Sequence, residues 1–195
     1  MRKILVICLG VLTIASFFQC GIAPPTDDLN QVKAALAKAE EAKADQFAPD
    51  EYKTSKSKLE ASEKKITPKK SKANKEAKKT LAEAKAEAEK AYKKAAPAYA
   101  EYNINEAKKV EKSAEEIKAN VALKDKFSDA IKLLDEAKQD KEAGNYELSW
   151  EKSIKAKTLF DEIYKITQEK KQIAEDAMRG AQDALKEASK KEGEE

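Results

Sequence analysis

Ala77-Lys-Lys-Thr-Leu81-Ala-Glu-Ala84-Lys-Ala-Glu-Ala88-Glu-Lys-Ala91-Tyr-Lys-Lys-Ala95-Ala-Pro97 is the most regular stretch of the chain. Ala77, Leu81, Ala84, Ala88, Ala91 and Ala95 alternate steps of four and three, which lines them along one side of an α-helix. Nearly all of that seam is small, so a partner helix can approach it closely, as in a coiled coil.

The same periodicity continues on both sides. Upstream, Thr67-Pro68 stops one helix and starts this one, with Pro68 in the first turn, where a missing N–H costs nothing. Tyr52, Leu59, Ser62 and Ile66 mark the helix before it, opening at Pro49-Asp50. Leu29, Val32, Leu36 and Ala39 mark a first helix, capped by Thr26-Asp27-Asp28 and ending near Asp45. Downstream, Pro97 is expected to end or kink the helix, with a turn or bend over Ala98 to Asn103. A fourth helix carries Ala107, Val110, Ala114, Ile117 and Val121, and a break follows near Asn120 to Asp125.

Phe127, Ala130, Leu134 and Ala137 line a fifth helix, and Gly144 suits the positive-φ cap of the turn Ala143-Gly144-Asn145-Tyr146. The last helix is long. Leu148, Trp150, Ile154, Leu159 and Ile163 lead into Ile166, Ile173, Ala177, Ala181, Ala184 and Ala188, with Gly180 weakening it by about 1 kcal/mol. Such narrow stripes require each helix to bury one seam against a neighbour. The expected fold is all-α: elongated antiparallel helical hairpins or a bundle with coiled-coil-like seams. Residues 28–97 form Ala/Lys-rich hairpins, residues 98–190 a distal hairpin region with larger apolar side chains, and residues 191–195 a frayed tail.

Composition narrows the chemistry. Charged residues make up 38% and aromatics 6%, which suits long solvated helices. Histidine is absent, which removes the usual neutral-pH acid/base and the commonest metal ligand. The glycines at 144, 180 and 193 are isolated, so no glycine-rich phosphate loop is present. Nearly every carboxylate has lysines beside it in sequence, the pattern of solvated ion-paired faces. The expectation is a non-enzymatic chain with no cofactor, no metal and no small-molecule substrate.

The chain opens with Arg2-Lys3 and an apolar run from Ile4 to Phe18, followed by Gln19-Cys20. This is the charge-then-apolar order of a secretory leader. It is too short for a membrane-crossing helix, which takes roughly 20 apolar residues. Without residues 1–19 the 39 Lys and Arg lose two members, leaving 37 against 36 acids, or +1. A finely mixed surface of that kind gives no argument for nucleic acid.

Phe17-Phe18-Gln19-Cys20 resembles a bacterial lipoprotein signal, with Cys20 the lipid acceptor and residues 20–27 a lipidated tether. The usual motif has Leu three places before Cys and a small residue just before it, so this one resembles the relaxed form of spirochaete lipoproteins. The resemblance implies acyl chains on Cys20, which hold a protein stably when there are two or more. Gly21, not Asp, follows Cys20, which in the enterobacterial sorting scheme implies the outer membrane, with the periplasmic or surface face open. Ordinary secretion, with cleavage after Ala15, is the alternative.

Phe47-Ala48-Pro49-Asp50-Glu51-Tyr52, followed by Leu59, resembles the Ala-Pro-x-x-Tyr start of a helical-hairpin domain of unknown function in bacterial envelope lipoproteins. A second copy starts at Phe127: Tyr52 and Leu59 are seven apart, as are Phe127 and Leu134, with Ser62 and Ala137 three further on. Gly144-Asn145-Tyr146, then Trp150 and Ile154, is also similar to the helix-turn-helix of a tetratricopeptide repeat. These resemblances imply a helical envelope lipoprotein, with an envelope protein or cell-wall partner.

Two surfaces are candidates for interaction. Lys64, Lys65, Lys69, Lys70, Lys72, Lys75, Lys78 and Lys79 surround the Pro68 corner, with Glu76 the one acid among them. They are either a polyanion-binding patch, for host or extracellular polymers among others, or a solvated turn. Tyr99 and Tyr102 sit at the expected bend and are either core or a partner groove.

Overall fold

The computed structural model describes residues 23–67 and 70–192, which contain seven helices and no strand. They are α1 (Thr26–Glu41), α2 (Ala44–Phe47), α3 (Pro49–Lys65), α4 (Ser71–Glu116), α5 (Ala119–Ala122), α6 (Lys124–Glu142) and α7 (Tyr146–Glu192). The all-α, antiparallel-hairpin architecture expected from the stripes is the one observed.

α4 is the spine. Its first half forms an up-down-up set with α1 and α3. Glu51 on α3 pairs with Lys94 on α4 at 3.2 Å, and Lys58 pairs with Glu83 at 3.3 Å, so the two helices are antiparallel. Lys85 donates to Gln31 at 2.9 Å and Lys78 pairs with Asp28 at 3.7 Å, so α1 runs in the same direction as α4. The Ser55 hydroxyl donates to the Ala84 carbonyl at 2.7 Å, a buried link that pins the register of α3 on α4. The predicted seam Ala77, Leu81, Ala84, Ala88, Ala91 and Ala95 is fully buried here. Small side chains on α4 let both neighbours approach closely.

The second half of α4 forms an equivalent set with α6 and α7. Lys152 on α7 pairs with Asp140 on α6 at 2.8 Å, and Lys126 on α6 pairs with Glu162 at 3.0 Å, so α6 and α7 are antiparallel. The Ser149 hydroxyl donates to the Ala137 carbonyl at 2.7 Å. The core here contains larger side chains, with Phe127 and Phe160 edge to face at 5.3 Å and Leu134 and Ile163 beside them. The two cores divide along α4 between Ala100 and Ile104.

Backbone geometry recurs 75 residues on. Lys43 (φ 54°) precedes α2 and Lys118 (φ 65°) precedes α5, the two non-glycine residues with positive φ among those described. Ala48 (φ −149°, ψ 54°) joins α2 to α3, and Leu123 (φ −136°, ψ 50°) joins α5 to α6. Tyr52 and Phe127 then occupy the same place on α3 and α6, both buried. The end of α4 thus plays for the second set the part that α1 plays for the first.

Several boundaries differ from those read in the sequence. α4 continues through Pro97, with no turn over residues 98–103 and no separate fourth helix. Proline in a helix interior costs about 3 kcal/mol. Here Ala95, Ala96 and Ala100 are wholly enclosed around it, and Tyr99 is clasped by the rings of Phe47 and Trp150. Packing on both sides outweighs the lost hydrogen bond. The first helix ends at Glu41 rather than near Asp45, because Lys43 turns left-handed and α2 forms a separate turn. α1 begins at Thr26 itself, so Thr26 is not a side-chain cap. α4 begins at Ser71, past Pro68, which lies outside the described residues. α7 continues to Glu192, into the tail expected to fray. Its stripe beyond Thr167 is buried by no neighbour: side chains from Glu169 to Ser189 are all exposed.

Candidate interaction surfaces

The lysine corner is built by the α3–α4 hairpin. Lys64 and Lys65 close the last turn of α3, where cations suit the helix dipole. Lys70 is the N-cap of α4 and Lys72 lies in its first turn, which holds no acidic residue; Lys75 follows in the second turn beside Glu76. Cations at that end meet the positive pole of the dipole, an arrangement that an external anion relieves. Lys72, Lys75 and Lys79 share one face at i, i+3 and i+7. Lys64, Lys65, Lys70, Lys72, Lys75, Lys78 and Lys79 are all exposed, while Lys69 lies outside the described residues. The corner is held by Asn74, which is buried: its side-chain oxygen accepts from the Thr67 N–H at 3.1 Å, and its own N–H donates to the Lys70 carbonyl at 3.0 Å.

α1 starts beside this corner. Asp28 in its first turn meets Lys78, and Lys33 meets Glu63 at 3.0 Å near the end of α3. Residue 26 and the lysines therefore occupy one end of the molecule. Cys20 lies outside the described residues, six positions upstream.

Tyr99 and Tyr102 lie within the continuous α4 and not on a turn that follows it. Tyr99 is half-buried at 5.2 Å from Trp150 and 5.8 Å from Phe47, joining α2, α4 and α7. Tyr102 is 49% exposed, with its ring 5.9 Å from Phe47. Trp150 and Tyr99 are 51 residues apart in the sequence, and the parallel alignment of α7 with α4 brings them together. Nearby, the Tyr92 hydroxyl donates to Glu147 at 3.0 Å, and burial, then this bond, pushes its pKa up to about 12.

The remaining titratable groups serve packing. Lys141 bonds to Glu101 and holds that carboxyl below its ordinary range. Asp140 and Glu136 raise the Lys152 ammonium. Burial, then the neighbouring Glu115, raises Glu111. Among the described residues no acidic group is arranged to hold a metal ion, and no helix is long and apolar enough to cross a membrane. No protein-family model, characterised protein or solved structure matches this chain.

The stripe of the outer half of α7 is present in the sequence, but its lack of a neighbour in the fold was not read from it. A usable signal was present: α6 supplies 19 residues of cover for a helix of 47, so more than half of α7 had to find its partner elsewhere.

Proposed function

We propose that the chain is a lipid-anchored protein of the bacterial outer membrane that acts as a non-enzymatic structural or protein-interaction module. The observation that carries this reading is the position of the start of α1. Residue 26 and seven exposed lysines share one end of the bundle, and α7 projects from the other. Six residues connect Cys20 to Thr26, a reach of at most about 20 Å. An acylated Cys20 would therefore hold the lysine corner against the headgroups, where each cation near an anionic surface adds about 1 kcal/mol. The helices would stand away from the bilayer. α4 before Tyr92 and the whole of α7 together extend about 100 Å at 1.5 Å per residue.

The second reading is that the lysine corner binds host or extracellular polyanions. The unbalanced cations at the start of α4 favour it, but its place beside the anchored end favours the chain's own membrane.

Radiolabelled-palmitate incorporation with membrane fractionation tests the anchor that both readings share. The native chain is expected to take label and partition with the outer membrane, and Cys20→Ala to lose both. An unlabelled, soluble native chain would overturn the anchor and leave a secreted helical binding module.

A further inference from the structure

The entry to α1 is tied to the bundle. The Thr26 N–H donates to the Pro24 carbonyl at 2.8 Å, the Leu29 N–H donates to the Pro25 carbonyl at 3.0 Å, and Pro25 is buried. Pro25 has φ −79°, an angle that its ring holds, so the entry is stiff. Residues 21–23 alone separate Cys20 from Pro24, a reach of at most about 14 Å. One turn past Pro25, Asp28 meets Lys78 of the lysine corner at 3.7 Å. A bilayer holding Cys20 would therefore lie close to the corner's ammonium groups, whose field extends about 8 Å at physiological salt. The corner itself is broad. Lys64 and Lys65 end α3, Lys70 precedes α4, and Lys72, Lys75 and Lys79 occupy the side of α4 opposite its buried Asn74, Ala77 and Leu81. Among the described residues none of these six lysines forms an ion pair, whereas Asp28 on α1 and Glu63 on α3 are already paired with Lys78 and Lys33. Glu76 is the one acid in the run.

We infer that the lysine corner binds the anionic phosphate headgroups of a bilayer in its own right, so that the chain meets its membrane at two points, the acyl group on Cys20 and this patch. The spread of the cations selects a surface as the ligand. They cover the end of one helix, the link and the outer side of the next, whereas a single polymer strand calls for a line of charge. All are lysines, which meet phosphate as point charges without the planar fork that reads one fixed geometry. The short tether keeps the patch beside the bilayer, so the second attachment is intramolecular and needs little affinity of its own. Two attachments joined by a stiff link restrict the tilt of the bundle, which one acyl tether leaves free. The inference rests on the reading above for the presence of the bilayer and adds the ligand of the corner. Its test omits the acyl group, so that either can fail alone.

The chain from residue 21, which contains every described residue and no acyl site, is sedimented with vesicles of one part phosphatidylglycerol to two parts phosphatidylcholine, and with phosphatidylcholine alone. Binding to the anionic vesicles only is expected, falling at least tenfold as added salt shortens the Debye length from about 30 Å to about 8 Å. The triple variant Lys70→Glu, Lys72→Glu, Lys75→Glu is expected to lose at least tenfold in partitioning at low salt. Lys124→Glu, Lys132→Glu, Lys155→Glu makes the same change in net charge at exposed positions of the second set and is expected to stay within twofold of the native chain. Helix content, read by circular dichroism, is expected to be the same in all three. Equal binding to both kinds of vesicle, binding to neither, or an equal loss in the two triple variants would each overturn the inference. Retention on dextran sulfate without binding to vesicles would overturn it in favour of a polymeric ligand.

Discussion

Glu111 illustrates how little room the narrow seams leave for charge. It lies on α4 facing α6, where burial, Glu115 and then Asp135 raise its carboxyl, and only Lys138 and Lys108 oppose them. A carboxyl raised in the folded state binds its proton more tightly there than in the unfolded chain. Stability is therefore lost as pH rises from the ordinary glutamate range through the folded value. Glu111→Gln removes that penalty. Thermal unfolding is expected to show a higher midpoint for Glu111→Gln than for the native chain at pH 7 and no difference at pH 4; equal midpoints at pH 7 would mean the site is fully hydrated. The buried hydroxyls are in the opposite position. Ser55 and Ser149 each give their proton to a carbonyl of the neighbouring helix, so the polar atom is satisfied and the register is fixed at once.

Pro97 decides whether α4 is one element or two. Replacing it with alanine restores an N–H within a continuous helix and removes a ring that crowds the carbonyl of the preceding turn. Pro97→Ala is expected to stabilise the chain by about 2 kcal/mol, the helix penalty less the entropy that proline removes from the unfolded chain. A rise in the urea midpoint at unchanged slope checks this; a fall would show a bend that needs the proline. The stripes themselves were legible in the sequence because periodicity is local: α1, α3 and α6 bury or half-bury the residues assigned to them, and α7 buries Trp150 and Ile163 of its first stripe but leaves Leu148 and Ile154 exposed. The Tyr52 and Phe127 correspondence was legible for the same reason, and the matching turns at Lys43 and Lys118 extend it. The continuity of α4 was not legible. Local rules count the proline's cost, whereas the gain comes from Phe47 and Trp150, distant in sequence and brought to Tyr99 by packing on both sides. The lysine run could be read as a cluster, but its sharing an end with residue 26 required the parallel alignment of α1 and α4, which no periodicity specifies. Cys20 rests on sequence pattern throughout.

At the scale of the whole molecule, two three-helix sets share one spine, and the ends carry different surfaces: lysines beside the start of α1, a bare apolar helix face at the far end. The separation of those two ends depends on α4 being a single continuous helix. Spin labels at Lys75→Cys and Lys112→Cys, both exposed positions 37 residues apart on α4, test this in a chain starting at residue 21, which lacks both native cysteines. An uninterrupted helix gives a single distance distribution centred near 55 Å. A distribution centred below about 40 Å, the signature of a hairpin or sharp bend at Pro97, would contradict the shared spine and with it the separation of the two ends.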